Sequence, residues 1–464
     1  MKKILIPVSN SFFARNFLRN GFAVKLKQEG LLVIFAAPAE KIAFYKKEFE
    51  KDGAVFCEIP SIPKSRIDSF FKKLEMWSIH SRFVALTHWN FLFRCGAKDP
   101  IASRLVIFPL RMILWQLGRF RFWRAFVRNL FYLTNKKEIR ALIEKHKPDV
   151  VFCPFMNLGF EWHFLKEAKK LGIKAIGMTP SWDNFYSKTF LRVKPDFLLV
   201  QTELMKEQAI KYADYHAKNI FVTGLPQYDR YFLKEGILPR DEFFKSIGAD
   251  PKKKLIVFGC SGKVTQELDT AFLPVIYKTL QDAGILDRIQ ILIRPHPKRP
   301  LSDFILERAQ KDFGFLAKNP AVPIAVSGDK WEFDDKAISL LSNTLAHADI
   351  VIATCTTFFV EAAIFGKPLI AIGFDTFKKH IYWNSARRFF EWDHLADLAC
   401  TGGVWQVKSE MELASAITAY IANPALHATE RRRIVGEQVV FTDGKSIERI
   451  VYALKSVMYD REHL

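Results

Sequence analysis

Short apolar runs alternate with longer amphipathic stretches along this chain, and the alternation runs through twice. Residues 3–8 read as a strand, 10–29 as a helix and 31–36 as a second strand, which is a βαβ opening. Strand-like runs recur at 149–153, 175–178 and 197–201, with helical stretches such as 161–171 between them. A second set comes after Pro239 and the Lys252-Lys253-Lys254 run, with strands at 255–259, 289–293, 350–353 and 369–372. A strand that re-enters its sheet through a helix lies parallel to its predecessor, so each set predicts a parallel sheet covered by helices on both faces. The expected fold class is α/β, with two Rossmann-like, doubly wound lobes facing each other across a cleft. A length of 464 residues fits two domains of roughly 200 residues. The first lobe is expected at 1–238 and the second at 239–464, with the crossing inside 234–254.

Residues 62–135 break the pattern as a helical insertion rich in aromatics and arginine, and 100–137 contain no acidic residue. At helical spacing Arg121, Arg124 and Arg128 share one face, while Phe120, Trp123, Val127 and Phe131 fall on another. Arg121, Trp123, Arg124 and Arg128 are therefore expected at a membrane interface, as in basic amphipathic helices. The other reading is a core helix whose arginines reach solvent along their aliphatic stems. The charge balance, 69 Lys+Arg against 49 Asp+Glu, gives a formal net charge of +20. Such a field draws anions: nucleic acid, acidic head groups or phosphorylated metabolites. No nucleic-acid recognition motif is present, and the cations concentrate in the one insertion, so nucleic acid is not expected as a partner. Six cysteines are scattered with no CxxC pair, which argues against zinc and for reduced thiols in the cytosol. Residues 1–7 are too short an apolar run for a signal peptide. No window reaches about 18 apolar residues, so no transmembrane span is expected.

The segment Ile289-Gln290-Ile291-Leu292-Ile293-Arg294-Pro295-His296-Pro297 ends a buried strand at a rigid turn. Each proline fixes φ near −65° and has no N–H, so the chain must leave the sheet there and present Arg294 and His296. Gly259-Cys260-Ser261-Gly262-Lys263 succeeds another strand, and Ser261 and Lys263 could hold a phosphate, although taken alone the loop reads better as a plain βα turn. The strand at 350–353 runs into Thr356 and Thr357 at the start of an apolar helix, where hydroxyls bind anions or merely cap. Glu361, one turn on, is placed for ribose hydroxyls. Glu332, Asp334 and Asp335 lack His or Cys partners at ligand spacing, so no metal is expected. In the first lobe Ser181, Asp183 and Asn184 come after a strand at the cleft edge. Asp183 is the candidate general base, with an Asx-turn as the structural alternative. Asp229, after the Gly224-Leu225-Pro226 turn between lobes, caps the succeeding segment or faces the cleft.

Several of these segments together resemble a GT-B transferase. Residues 219–229 (Asn-Ile-Phe-Val-Thr-Gly-Leu-Pro-Gln-Tyr-Asp), Arg-Pro-His-Pro at 294–297, 348–357 (Ala-Asp-Ile-Val-Ile-Ala-Thr-Cys-Thr-Thr), Gly-Lys-Pro-Leu-Ile at 366–370 and Gly-Phe-Asp at 373–375 occur in order. This series is similar to the CDP-glycerol glycerophosphotransferases of wall teichoic acid synthesis. Its His-Pro element with a hydroxyl pair further on also resembles bacterial sialyltransferases and capsule Kdo transferases, which use CMP-sugars. The resemblance implies that His296 contacts donor phosphate or nucleotide and takes part in catalysis. It also makes Thr356 and Thr357 phosphate donors, and Asp375 belongs to the acceptor side. The glycerophosphotransferases carry a Trp-His-Gly-Thr element in the first lobe, and residues 178–184 have no histidine. Glycosyl transfer is thereby favoured over polyol-phosphate transfer. The expected activity is metal-independent transfer of a sugar from a CMP-, CDP- or UDP-linked donor to a hydroxyl of a membrane-linked surface glycan. No cofactor is needed beyond the donor, and the enzyme would sit on the inner face of the cell membrane. The alternatives are a glycerophosphotransferase, a sugar-nucleotide 2-epimerase and a non-catalytic membrane or nucleic-acid binding protein.

Overall fold

The computed structural model describes residues 1–8, 11–62, 65–96, 99–157, 159–261, 266–296, 301–317, 332, 334–376 and 380–459. The strands in chain order are β1 (Lys3–Pro7), β2 (Leu32–Pro38), β3 (Val55–Ile59), β4 (Val150–Cys153), β5 (Lys174–Met178), β6 (Phe197–Val200), β7 (Ile220–Val222), β8 (Lys254–Gly259), β9 (Ile289–Arg294), β10 (Leu316–Ala317), β11 (Ile350–Ala353), β12 (Leu369–Ile372) and β13 (Trp405–Val407). Among the described residues they form two sheets, ordered β3-β2-β1-β4-β5-β6-β7 and β10-β9-β8-β11-β12-β13, with every pairing parallel. Continuous aliphatic strands such as Ile350–Ala353 are buried along their whole length, because helices cover both faces. In each sheet the strand order reverses beside the first strand, between β1 and β4 and between β8 and β11. Ligands of such sheets bind at the carboxyl ends of strands at that reversal.

The opening helix expected at 10–29 is three pieces, Phe12–Asn16, Leu18–Asn20 and Phe22–Gln28. Gly21, at φ 74°, turns the chain between the last two. The closing helix Ser446–Met458 crosses back to the first lobe, beyond the single crossing expected near 234–254. Its Lys455 pairs with Glu29 at 2.5 Å, and Lys174 Nζ donates to the Val457 carbonyl at 2.9 Å.

The insertion is built of helices Arg66–Trp77, Arg82–Phe93, Ile101–Leu117 and Arg121–Tyr132. Ser65 and Ser81 cap the first two by accepting backbone N–H groups. The expectation that Arg124 and Arg128 face a membrane is corrected: both are buried. Arg124 Nε donates to Asp214 at 2.9 Å, and Arg128 donates to Asp214 at 2.9 Å and to the carbonyls of Leu191, Phe190 and Ala213. The counter-charge comes from Asp214, at the end of helix Glu203–Ala213. Val127 and Phe131 share the buried face, so this side of the helix points to the core. Trp123 is half-buried and donates its indole N–H to Ser78 at 3.0 Å. Of the four residues, Arg121 alone is exposed, 3.5 Å from Asp214. Among the described residues no single helix is long and apolar enough to cross a membrane.

Candidate active site

The carboxyl ends of both sheets open on one cavity of about 480 Å3. The first lobe contributes Phe12, Arg15 and Asn16 after β1, Phe155 after β4, and Ser181, Trp182 and Lys188 after β5. Gln201 after β6 and Gln227 and Tyr228 after β7 complete that wall. The second lobe contributes Gly259 and Cys260 after β8, Arg294 and His296 at the end of β9, and Thr356, Thr357, Phe358 and Glu361 after β11. Register explains the convergence, since Gly259 pairs with Arg294 on one side and with Ala353 on the other. A Cβ at Gly259 would meet the Phe358 ring at 2.9 Å, so glycine lets the two loops close up.

Charge in the cavity is one-sided. Among its described lining residues Arg15, Lys188 and Arg294 are cations, His296 is titratable, and Glu361 is the one carboxylate. Arg294 is 7% exposed, and its guanidinium lies 6.0 Å from the Phe358 ring centroid. No carboxylate among the described residues stands within ion-pair distance of it. Burial pushes its pKa down to about 10, against the opposing pull of the Glu361 charge. Glu361 is instead spent on Arg15, whose guanidinium donates to it at 2.9 Å across the two lobes. Gln227 and the Tyr231 hydroxyl also reach Glu361, each at 3.4 Å. Burial alone would lower the Arg15 pKa, but the adjacent Glu361 outweighs it and the net shift is upward. A buried cation without a carboxylate partner carries an electrostatic cost that an anion in the cavity would offset.

The structure distributes the expected site residues unevenly. Arg294, His296, Thr356, Thr357, Glu361 and Ser181 reach the cavity. Thr356 Oγ1 accepts the Phe358 N–H at 3.2 Å and Thr357 is exposed, while the helix behind them, Phe358–Ile364, is only seven residues long. Ser261 is withdrawn. Its N–H donates to Asp269 at 2.8 Å, and its hydroxyl pairs with Thr354 at 2.9 Å and accepts the Cys355 N–H. Asp269 is fully buried and also accepts from Thr354, so it ties the loop after β8 to the loop after β11. Lys263 lies outside the described residues. Asp375 faces a loop rather than the cleft, accepting the His380 and Ala386 N–H groups at 3.2 Å each.

Asp183 does not line the cavity and is held by Lys188 at 2.9 Å and by Ser187. Burial would raise its pKa, but Lys188, His394 and the bond from Ser181 hold it well below the usual carboxylate range. A carboxylate held that low accepts a hydroxyl proton poorly near neutrality, which argues against its expected role as general base. Asn184 is buried beside it and accepts from Asn157 at 2.6 Å. Arg15, Lys188, Trp182 and Gln227 were not anticipated. The same strand-end rule that singles out Arg294 applies to the loop after β1 and would have singled out Arg15.

No protein-family model matches the sequence, and no curated protein sequence does either. Solved structures do resemble it in fold. The UDP-GlcNAc 2-epimerase of Neisseria meningitidis, solved with UDP-GlcNAc bound, matches over 98% of this chain and 100% of its own, with a TM-score of 0.57 at 12% identity. The Methanocaldococcus jannaschii UDP-GlcNAc 2-epimerase matches over 98% and 99%, with a TM-score of 0.53 at 15% identity. A glycosyltransferase from Rickettsia africae ESF-5 covers 99% of each chain, with a TM-score of 0.51 at 12% identity. The chain thus has a GT-B fold, two parallel-sheet α/β lobes with the cavity between them.

Proposed function

We propose that this protein is a glycosyltransferase that takes a sugar from a nucleotide-linked donor and passes it to a hydroxyl of a membrane-linked glycan. The observation that carries the reading is the buried Arg294, without an ion-pair partner among the described residues, facing the same cavity as Arg15 and His296. A donor's phosphates would rest on these groups. As the bond to the sugar breaks, negative charge grows on the leaving phosphate, and fixed cations stabilise it there without reorganising. That is the work a divalent cation does in metal-dependent transferases. Glu361, on the second-lobe wall, suits ribose hydroxyls once the donor competes for Arg15. CMP-, CDP- and UDP-linked donors, CDP-glycerol among them, all present the phosphate this wall requires. A melting-temperature screen with CMP, CDP, UDP and UDP-GlcNAc tests it, with a rise of several degrees expected for at least one. If none shifts the melt, the reading fails.

Sugar-nucleotide 2-epimerisation is the second reading, favoured because the Neisseria and Methanocaldococcus structures are of 2-epimerases and their chains match this one end to end. Incubation with UDP-GlcNAc and no acceptor separates the two. Inversion at C2, followed by NMR, supports the epimerase, whereas nucleotide release that waits for an acceptor glycan supports the transferase.

A further inference from the structure

Helices Ile101–Leu117 and Arg121–Tyr132 meet at 107° and carry an uncovered apolar stripe. On the first, Leu105, Val106, Leu110 and Ile113 are each at least half exposed, and Val106 reaches 76%. Their spacing of one, four and three residues keeps them on one side. On the second, Phe122 and Phe126 stand one turn apart and outward, opposite the buried Arg124 and Arg128. Phe120, at the bend, is exposed as well, its ring 5.6 Å from that of Phe122. Soluble surfaces rarely leave so many large apolar side chains contiguous and open.

Charge decides what covers this face. Arg119 and Arg121 are exposed at the bend beside the phenylalanines, the segment 100–137 holds no acidic residue, and the Asp214 that lies 3.5 Å from Arg121 already pairs with Arg124 and Arg128. A second copy of the chain, paired by a two-fold axis, would set these cations against one another with only Asp214, already shared with Arg124 and Arg128, to answer them. An anionic bilayer supplies phosphates for the arginines and acyl chains for the aromatics. A helix of 17 residues spans about 25 Å at 1.5 Å per residue, short of the roughly 30 Å hydrocarbon core, and the 107° bend turns the second helix off the axis of the first, so the pair forms no straight span. The geometry points to a monotopic docking face: the bent pair lies in the head-group layer of an anionic membrane, with Leu105, Val106, Leu110, Ile113, Phe122 and Phe126 immersed and Arg119 and Arg121 on lipid phosphates. The basic face expected from sequence is thus replaced by an apolar one.

Ring contacts lead from the first of these helices to the cavity wall. Trp89, on helix Arg82–Phe93, packs on Phe108 at 4.8 Å, and Phe83 at the other end of that helix packs on His394 at 5.7 Å. His394 in turn meets Trp182, a cavity residue, edge-on at 5.2 Å. A docked protein therefore holds the first-lobe side of the cleft in fixed relation to the lipid surface. The membrane-borne acceptor rests on the transferase reading, whereas docking does not.

Co-sedimentation of the full chain with phosphatidylglycerol-containing vesicles, and with pure phosphatidylcholine vesicles, tests the proposal. Binding is expected to the first and to fall at least tenfold on the second. The double substitution Phe122→Ser and Phe126→Ser should reduce binding at least tenfold while leaving the melting temperature and any nucleotide-induced shift in place. Arg119→Gln with Arg121→Gln should weaken binding and flatten its dependence on salt. Met411→Ser, at an exposed site in the second lobe, should change nothing. Binding that survives the phenylalanine pair overturns the proposal. So does a dimer in solution that dissociates in that variant while vesicles are ignored, because the face then belongs to a second copy.

Discussion

Arg294 brings a guanidinium to a wall where Phe358 and the ends of two strands surround it and where Glu361 is already bonded to Arg15. Buried without a carboxylate partner that charge is a cost, and under the proposed function a donor phosphate would turn it into an attraction. The two halves of that statement separate experimentally. Arg294→Met keeps the aliphatic length and deletes the charge, so the unliganded protein is expected to melt at the same temperature or higher. Its affinity for a binding nucleotide should fall at least tenfold, about 1.4 kcal/mol, by calorimetric titration. A variant that melts several degrees lower and binds nucleotide normally would make Arg294 a structural cation. The sequence exposes Arg294 and His296 because prolines punctuate the strand end, a local signal. It hides the fate of Glu361, whose partner Arg15 lies 346 residues away. It shows only part of what lowers the Asp183 pKa: Lys188 lies five residues on, whereas His394 arrives from the other lobe. Ser261 read as a ligand group because nothing nearby in sequence shows that Asp269 already holds it.

At the scale of elements, helix Arg121–Tyr132 shows how a correct periodicity can yield the wrong face. Arginine and aromatic residues do segregate at helical spacing, but two of the three arginines turn inward, because Asp214 and four carbonyls, Gly118 for Arg124 and three for Arg128, await them. Hydrophobic patterning assumes that charge goes out and cannot register a buried carboxylate supplied by another helix. Asp214 has φ 56°, a conformation asparagine also tolerates, so Asp214→Asn removes charge with little backbone strain. Arg124 and Arg128 would then be buried with neutral oxygen partners alone. The expected loss is about 3 kcal/mol in urea unfolding, the cost of stranding buried charge. A loss below about 1 kcal/mol would show that the carbonyls suffice. Strands were legible in proportion to their burial. The central strands are unbroken aliphatic runs, whereas β3, β10 and β13 lie at sheet edges and are short or half-exposed, so no continuous apolar run announces them.

For the whole molecule, the repeated alternation of strand and helix is enough to imply two doubly wound lobes, but not that the last helix returns to the first. At its start that return is held by Asp229, which sits where the chain leaves the first lobe and accepts the Ser446 and Ile447 N–H groups at 3.0 and 3.3 Å. It thereby fastens the start of helix Ser446–Met458 beside the Gly224 turn, where a Cβ would press on Ser446 at 2.6 Å. The cap is buried, and burial pushes the Asp229 carboxyl up to about 6, against the two N–H bonds and with help from Glu448. A folded state that holds its proton more tightly than the unfolded chain gains most from this group below about pH 4. That gain is lost as pH rises to about 6 and stays lost above it. A shift of about two units corresponds to roughly 3 kcal/mol across that window. Asp229→Asn keeps an oxygen for both N–H groups and cannot ionise. The variant should therefore melt with the wild type near pH 4, rise above it progressively to pH 6, and hold a constant advantage from pH 6 to 8. A variant that melts lower at every pH would mean that the ionised carboxylate is the better cap at this helix start, and that the second crossing between lobes is fastened by charge.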